Sequence, residues 1–558
     1  MSEEQKTEPK VFKRKATGLV REATLLDTFL FNGAAAAFSG MVILFVLDIT
    51  GLPGGNVIAA LPLVLITLAV GVVYSFLVAT MPRSGGDYVF NSRILHPSLG
   101  YAFNFALVFL QTLWVGFILW FVWDTGFGPA FYLIGYQTHN AALQGLGSWV
   151  SVPLNSLLLG TILNVIYGLI AISGTKNLLR TVNIMQFITL STTAIGVGVF
   201  AFTSNSTFVR LFNNFIHSSD STLASSANPY QAVISTAASS GFHAPSLGIS
   251  LPLLVPMLPF LAGGVMWVFY SAYFAGEIKN ANSVKRNLTS IIGAGIFNLV
   301  FMGLMFYFFI NSVGYNFVSS LSSAAYSTPA ILPSGFTGGL TWIVTYFFGL
   351  AAQNPILGAI IVLGMTFGIS SLVMLPVIAI QIQRNVFGWS IDRLAPDKFS
   401  EVSPKYHTPV FAIIVSIVLY EIALAFEVGI NSVNSTLVAG MYAMLILGPA
   451  LACMLLPGIS GIVLPWRRKD IYNSSPAKIE IKGFPVIVIF GVIAVIWMGI
   501  LTYEFLAWPT YGLLTYPLFA VLAFIPFIIG FILYWAIRAY RKRHGIDIDL
   551  AYQEIPPA

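Results

Sequence analysis

Twelve apolar runs dominate this chain of 558 residues, and each run is long enough to cross a lipid bilayer. A membrane-spanning helix needs about 20 mostly apolar residues, because the hydrocarbon core is about 30 Å thick and an α-helix rises about 1.5 Å per residue. We therefore predict an all-α integral membrane protein with twelve transmembrane helices. The predicted spans cover residues 25–47, 56–81, 100–134, 153–173, 177–203, 253–275, 286–312, 354–382, 408–428, 434–458, 484–506 and 513–537.

The composition agrees with lipid as the main solvent. Hydrophobic residues make up 57% of the chain and charged residues 9%, whereas an average soluble protein is about 25% charged. So few charges exclude a disordered chain, a disulfide scaffold and a soluble multidomain enzyme. Cys453 is the single cysteine, which excludes a disulfide within the chain and a multi-cysteine metal site. We expect it to be a small buried hydrophobe.

The basic residues alternate between the loops. In the twelve-span scheme, 26 of the 27 Lys and Arg residues fall in the two tails and in alternate loops, and only Arg210 falls on the opposite side. Basic loops mark the cytoplasmic face of a membrane protein. We therefore predict a multi-pass protein of the cell membrane with both termini in the cytoplasm. The net charge of +6 then reflects topology and not a nucleic-acid partner.

Two predicted spans contain residues typical of helix breaks, at matching positions. Residues 32–40 in the first span are small and polar, and the sixth span carries Pro256, Pro259 and the pair Gly263-Gly264. An interrupted helix exposes N–H groups on one side and C=O groups on the other, which bind a carboxylate and an ammonium or Na⁺ without a charged side chain. Small residues also serve tight helix packing. Breaks in spans one and six nevertheless fit two inverted repeats of five spans.

This pattern divides the chain into six parts. They are a cytoplasmic tail (1–24), a first five-helix repeat (25–203), an extracellular loop (204–252), a second five-helix repeat (253–458), helices 11 and 12 with the preceding loop (459–537), and a cytoplasmic tail (538–558). A further outer segment, residues 313–353, contains the apolar stretch Phe336–Leu350. That stretch fits either a lid helix on the outer face or a surface-packed loop.

Ionisable residues inside a bilayer are functional candidates, because each costs at least about 2.5–3.5 kcal/mol at the bilayer centre. Asp27, Asp124, Glu277 and Glu504 lie near span ends, where water reaches them, and Glu421 lies deeper in the ninth span. We expect Glu421 to be either a neutral buried carboxyl or a coupling or gating group.

Four loop motifs carry a family resemblance. They occur in order along the chain and read Gly18-Leu19-Val20-Arg21-Glu22, Pro82-Arg83-Ser84-Gly85-Gly86-Asp87-Tyr88 with Ser92-Arg93, Ala275-Gly276-Glu277-Ile278-Lys279-Asn280, and Arg384-Asn385 with Asp392-Arg393-Leu394-Ala395-Pro396. With these motifs the chain resembles amino acid permeases of the amino acid–polyamine–organocation superfamily.

The resemblance implies a LeuT-type fold, a 5+5 inverted repeat with discontinuous helices 1 and 6. It places the substrate between the two breaks, with side-chain contacts from spans three, eight and ten. Trp267 stands where the family usually has Gly, so it is either a wall or gate of the pocket or a packed aromatic. The implied substrate-binding residues are Ala36, Ala37, Phe38, Ser39, Gly40, Gly263, Gly264 and Trp267.

The charged residues of the loop motifs suggest a gate. Arg83, Arg93, Glu277, Arg384 and Asp392 are all predicted on the cytoplasmic side, where ion pairs between them would close the inner gate. Surface ion pairs contribute only about 0–1 kcal/mol, which suits a gate that must reopen. The alternative is that these residues only set topology and contact lipid headgroups.

The coupling ion stays open between Na⁺ and H⁺, and no other cofactor or metal is expected. A Na⁺ site resembling that of the family would use Ser370 and Ser371 of span eight, although adjacent serines often bond their own backbone. Thr189 occupies the position at which some proton-driven relatives have Lys. Proton coupling through Glu421 or Glu277, and uncoupled exchange, are the alternatives.

The sequence therefore predicts a secondary active transporter that moves neutral, zwitterionic amino acids or related amines by alternating access. The partners are a small-molecule substrate and the lipid bilayer. The alternatives are an amine or polyamine exchanger of the same fold and a non-transporting amino acid sensor. An enzyme is not expected, because the spans lack a converging cluster of His, Asp or Cys.

Overall fold

The computed structural model describes residues 18–36, 57–243, 249–336, 340–365, 368–433, 437–507 and 512–556. Within these ranges the chain is almost entirely helical, as predicted. The sheet found there is a two-residue antiparallel ladder between strands Glu480–Ile481 and Phe484–Pro485.

Ten helices in the described part of the chain are long and apolar enough to cross a membrane. They coincide with ten of the twelve predicted spans, which confirms a multi-pass helical membrane protein. These helices are Val57–Thr80, Pro97–Gln137, Pro153–Ile172, Thr175–Phe202, Val284–Val313, Pro355–Ile391, Val410–Val433, Gly440–Arg467, Val486–Ala507 and Pro517–Arg543.

The first predicted span begins with a short helix, Leu25–Ala34. Its start is fixed by a capping box, in which the Thr24 side chain accepts from the Asp27 backbone and the Asp27 carboxylate accepts from the Thr24 backbone. These bonds satisfy N–H groups that have no partner inside the helix. Residues 37–47 of this span lie outside the described residues.

The sixth predicted span is built from short pieces. Helix Leu251–Leu254, the 3-10 turn Val255–Met257 and helix Leu258–Gly263 follow one another, and each carries a proline in its first two positions. Proline lacks an N–H group and is tolerated at a helix start but not in a helix interior. After Gly263 the chain turns irregularly until the 3-10 segments Tyr270–Tyr273 and Ala275–Glu277.

The third and tenth predicted spans each contain one π-helical segment, Val122–Phe127 and Leu451–Leu455. Such segments insert an extra residue into the helical turn and often lie near functional sites. In the third span the helix continues past the π segment as Gly128–Gln137 and folds back through Ala141–Val150.

Shorter helices complete the bundle at its two ends. At the end that carries Asn205 they cap the long helices, and at the opposite end they lie among the basic loops, so we call the latter the basic end. These helices are Gly86–Ile94, Asn205–His217, Pro229–Ser239, Tyr315–Ser327, Leu340–Ala351 and Lys469–Ser474, with 3-10 turns at Pro329–Ile331, Asp397–Ser400, Leu513–Thr515 and Ile548–Tyr552.

The apolar stretch predicted as a lid helix or a surface-packed loop contains the helix Leu340–Ala351. This helix is buried: the rings of Phe347 and Phe348 pack against Phe208 and Phe200, with centroids 5.2 and 5.0 Å apart. Because the side chains of residues 342–351 are covered, this helix belongs to the core beneath the shorter helices and does not lie on the surface.

Candidate functional site

One asparagine joins the end of the first predicted span to the interruption of the sixth. Asn298, on the helix Val284–Val313, donates from Nδ2 to the carbonyl oxygens of Gly33 at 3.1 Å and Gly264 at 3.2 Å. Gly33 lies in the last turn of Leu25–Ala34, and Gly264 follows Leu258–Gly263 directly. Carbonyls at helix ends lack partners within the helix, so Asn298 holds two such ends together.

A second asparagine crosses the same junction. Asn32 accepts the backbone N–H of Ser271 on Oδ1 at 2.9 Å and donates from Nδ2 to the carbonyl of Ser290 at 3.3 Å. Ser271 lies beyond the interruption of the sixth span. Asn32 is completely buried, and its hydrogen bonds avoid the penalty of an unpaired buried amide. The structure thus brings together the two segments predicted as breaks.

These helix ends border a small cavity. Its volume is about 20 Å³, which is room for about one water molecule. The walls come from the first, third, sixth, eighth and tenth predicted spans. The lining residues are Ala35, Gln111, Trp114, Pro259, Gly263, Trp267, Tyr270, Met374, Ile378, Tyr442, Leu445 and Ile446.

The residues predicted to bind substrate are distributed around this cavity. Gly263 and Trp267 line it. Gly264 lies beside it with its carbonyl bound by Asn298, and Ala36 is buried next to the lining residue Ala35. The predicted residues Ala37, Phe38, Ser39 and Gly40 lie outside the described residues.

The cavity has an aromatic wall and one polar corner. Gln111, on the third span, donates from Nε2 to the hydroxyl of Tyr270 at 3.0 Å. Its Oε1 atom is buried and has no hydrogen-bond partner within the described residues, so it can accept from a ligand. The rings of Trp267 and Tyr270 meet edge to face, with centroids 6.0 Å apart. Sequence reasoning missed Gln111, although it and Asn104 are the two amide side chains in the apolar run of the third predicted span.

The residues predicted to hold a coupling ion are buried in the same part of the bundle. Ser370 and Ser371 lie on the short helix Ile369–Leu372, which packs against Thr175–Phe202, the helix that carries Thr189. The Thr189 hydroxyl is buried and lacks a partner among the residues described. These are hydroxyl oxygens of the kind that bind hard cations.

At the basic end, four of the five predicted gate residues form two ion pairs. Arg384 contacts both carboxylate oxygens of Glu277, Nε to Oε1 at 2.6 Å and Nη2 to Oε2 at 3.0 Å. The Thr175 hydroxyl donates to the same carboxylate at 2.7 Å. This pair links the sixth, eighth and fifth spans.

The second pair joins the helix Gly86–Ile94 to the end of the eighth span. Arg93 contacts Asp392 through two hydrogen bonds, Nη1 to Oδ2 at 2.6 Å and Nη2 to Oδ1 at 2.7 Å. The Tyr88 hydroxyl donates to Asp392 at 2.6 Å. Both pairs are completely or almost completely buried, with side chains at most 2% exposed. The expectation of weak surface ion pairs is therefore wrong. The helix Gly86–Ile94 packs against the third, eighth and tenth spans, and Glu277 is enclosed by Arg384 and Thr175, so neighbouring helices exclude water from both pairs.

Arg83 belongs to neither pair. Its Nε donates to the carbonyl of Pro556 at 2.6 Å. Pro556 lies in the segment 548–556, which we call the C-terminal strap and which begins with the 3-10 turn Ile548–Tyr552. In the strap, the Tyr552 ring lies 5.0 Å from the guanidinium carbon of Arg93 and covers the ion pair.

A model of the amino acid permease family matches residues 25–534, most of the chain. The chain belongs to the amino acid permease family. Proteins of this family are membrane transporters and not enzymes, and the resemblance seen in the loop motifs is thereby confirmed. No curated protein matches the chain.

Glu421 of the permease lies between two long helices and not at the cavity. Its carboxylate accepts from the hydroxyl of Thr161 and from Nδ2 of Asn164, the latter at 3.1 Å. Glu421 therefore links the helix Val410–Val433 to the helix Pro153–Ile172 through hydrogen bonds. Glu427, six residues further along the same helix, is completely buried, and neither of its oxygens has a hydrogen-bond partner in the described part of the permease.

Asp87 is a second carboxyl whose position the sequence did not reveal. It follows the turn Gly85-Gly86, both of which have positive φ, and is completely buried. A Cβ on Gly86 would lie 2.5 Å from the Tyr273 ring, so glycine is required for this approach. Asn104 Nδ2 lies 3.3 Å from Asp87 and Asn104 Oδ1 accepts from Trp389 at 2.8 Å. Burial raises the pKa of Asp87 to about 7, and Asn104 opposes part of this rise.

Proposed function

We propose that this permease is a secondary active transporter of neutral, zwitterionic amino acids or closely related amines. It would work by alternating access between two five-helix repeats, residues 25–203 and 253–458, within a twelve-span protein whose basic end faces the cytoplasm. The observation that carries this proposal is the cavity at the junction of Leu25–Ala34 and the interrupted sixth span. None of the described residues that line it is charged, which favours a net-neutral ligand.

Backbone groups at the helix ends would recognise the zwitterion. The substrate carboxylate would meet N–H groups around Ser39 and Gly40. Its ammonium would meet carbonyl oxygens near Gly263 and Gly264, together with the unpartnered Oε1 of Gln111. A carbonyl oxygen has two lone pairs, so the Gly264 carbonyl can accept from an ammonium while it accepts from Asn298.

The small size of the cavity agrees with a closed conformation. About 20 Å³ is too little for an amino acid, so Trp267 and its neighbours would have to move when substrate binds. The ion pairs at the basic end would separate when the cavity opens towards the cytoplasm. Because they are buried, their separation exposes charges that water can then solvate.

The coupling ion enters this proposal as Na⁺ or H⁺. For Na⁺, the candidate ligands are the hydroxyls of Thr189, Ser370 and Ser371. The unpartnered hydroxyl of Thr189 supports such a site. Thr189→Val would remove a Na⁺ dependence of substrate binding, whereas Thr181→Val, at a partly exposed position whose hydroxyl bonds to its own helix, would leave it unchanged.

A binding screen followed by transport tests the proposed function. Purified permease is heated with single amino acids and with polyamines, each with and without Na⁺, because a ligand that binds the folded state raises Tm. Uptake and counterflow of tritiated amino acids are then measured in proteoliposomes. Absence of binding and transport for every amino acid and amine would contradict the proposal. Binding without uptake or counterflow would identify a sensor instead.

A further inference from the structure

We propose that Asp87 is a proton-binding site of the inner gate, and that the gate closes over Asp87 preferentially when the carboxyl carries a proton from the cytoplasm. This inference rests on the proposed alternating access. It adds a ligand, the proton, and a site that lies outside the substrate cavity.

The first argument is the isolation of the carboxyl. Asp87 is completely buried, and the side chains that act on it as donors, the amide of Asn104 at 3.3 and 3.4 Å and the hydroxyl of Tyr273, are neutral. The two buried arginines at this end are each bound to another carboxylate, Arg93 to Asp392 and Arg384 to Glu277. Neither therefore neutralises Asp87.

The second argument is the set of groups that face Asp87. Tyr74 comes from the second span, Tyr270 and Tyr273 from the sixth, and Cys453 from the tenth. All four are neutral near pH 7 in ordinary conditions. A buried carboxylate without a counter-charge is unstable relative to the acid, and the pKa of about 7 for Asp87 agrees with this geometry.

The third argument is the place of Asp87 in the gate. The loop that precedes Asp87 is hydrogen-bonded to the inner half of the sixth span, since the backbone N–H of Gly85 donates to the carbonyl of Tyr273 at 2.8 Å. The Tyr273 ring packs on Tyr270, with centroids 5.3 Å apart, and Tyr270 bonds to Gln111 at the cavity. Opening this path to the cytoplasm would part Gly85 from Tyr273 and admit water to Asp87.

The proton balance follows from these positions. When the gate opens, the hydrated carboxyl regains an ordinary pKa near 3.8 and releases its O–H proton to cytoplasmic water. When the gate closes, Asp87 takes one proton back. The ratio of open to closed gates should therefore rise about tenfold per pH unit between about pH 4 and about pH 7, and become level above that range. An acidic cytoplasm holds the gate closed.

A thiol reporter tests this inference without any substrate. Ser271 is buried on the inner half of the sixth span, so Ser271→Cys in a Cys453→Ala background reports opening through its rate of modification by a membrane-impermeant reagent. After division by the rate for a free thiol at each pH, the rate should rise from about pH 5 to about pH 7 and then level off. Asp87→Asn should give a low rate without this rise.

Two control variants isolate the carboxyl. Asp220→Asn removes an exposed carboxylate, and His96→Gln replaces the histidine that caps the helix beginning at Pro97; both should keep the rise with pH. The same pH dependence in Asp87→Asn as in the unsubstituted protein would overturn the inference, as would modification that is independent of pH in the unsubstituted protein. Failure of the proposed function would instead leave every amino acid and amine without binding or transport.

Hydrogen exchange gives a second measurement that needs no substitution. The amide of Gly85 is bonded across the gate, whereas the amide of Leu95 is bonded within its own helix, to Asn91. Between about pH 5 and about pH 7, exchange at Gly85 should increase more steeply than at Leu95, by up to about tenfold per pH unit. Equal slopes at the two amides would contradict the inference even if Asp87→Asn does not fold.

Discussion

Arg384 holds both carboxylate oxygens of Glu277 in a site where each side chain is only 2% exposed. Removing two charges from water is unfavourable, and a buried pair offsets this through short, well-aligned hydrogen bonds. The contact therefore resists the loss of one partner far more than a surface pair would. If it forms the inner gate, opening must hydrate both groups together.

Loss of one partner should destabilise the closed protein strongly. Glu277→Gln leaves Arg384 buried without a counter-charge, so we expect a loss of about 3–5 kcal/mol, seen as a lower Tm in detergent. The double variant Glu277→Gln with Arg384→Gln should lose less than the sum of the single variants. Asp470→Asn breaks the exposed pair with Arg468 and should change stability by less than about 1 kcal/mol. Additive effects at 277 and 384 would show that the two groups do not interact.

The contact between Tyr552 and Arg93 predicts a role for the C-terminal strap. Tyr552→Ala removes a ring that lies 5.0 Å from the guanidinium, a cation–π contact that contributes about 1–2 kcal/mol when desolvated. We expect a lower Tm and faster proteolysis of the strap. Tyr540→Ala alters an exposed tyrosine on the preceding helix and should leave both measurements unchanged. Equal effects of the two substitutions would mean that the strap does not cover Arg93.

The raised pKa of Asp87 predicts how stability depends on pH. The pKa of Asp87 is about 7 in the folded state and 3.8 in the unfolded state. Between these pH values the folded protein therefore holds a proton that the unfolded protein has lost. The contribution of this proton to the free energy of unfolding is fully present below about pH 4 and declines as pH rises to about 7. Above that pH it no longer changes, and the total change is about 4 kcal/mol. Asp87→Asn should reduce the decline in Tm between about pH 5 and about pH 7 and be the more stable protein above it. Asp220→Asn is the control and should keep the decline.

The unpartnered oxygen of Gln111 predicts a loss of substrate affinity on substitution. A hydrogen bond to a charged ammonium contributes about 1.5–3 kcal/mol, so Gln111→Leu should weaken binding of an amino acid by about 10- to 100-fold. Isothermal titration with the amino acid that gives the largest thermal shift measures this change. Gln231→Leu, at an exposed position of the helix Pro229–Ser239, should bind normally. Unchanged affinity in Gln111→Leu would remove Gln111 from the binding site.

Hydrophobicity was sufficient to predict most of the long helices, because a bilayer demands long apolar segments whatever their neighbours are. Prolines such as Pro259 and the pair Gly263-Gly264 also marked the region in which the sixth span loses its regular helix. Both signals depend on neighbouring residues in the sequence, so they can be interpreted without knowledge of the tertiary structure.

The pairing and the burial of the charged residues were harder to predict from the sequence. The sequence predicted that Arg93, Asp392, Glu277 and Arg384 lie on the same side of the membrane. It could not predict which acid pairs with which arginine, because the partners come from segments far apart along the chain. It also treated them as surface groups, since they lie in loops between spans. The burial of Asp87 could not be predicted either, because it depends on a distant segment. A carboxyl in a polar loop motif gives no local sign that a tyrosine-rich span covers it.

The C-terminal strap also has a practical consequence for protein production. Pro556, at the end of the strap, accepts a hydrogen bond from Arg83. A purification tag or fluorescent protein fused at that end would be tethered beside the buried arginine pairs. Functional assays should therefore use a tag at the other end of the chain.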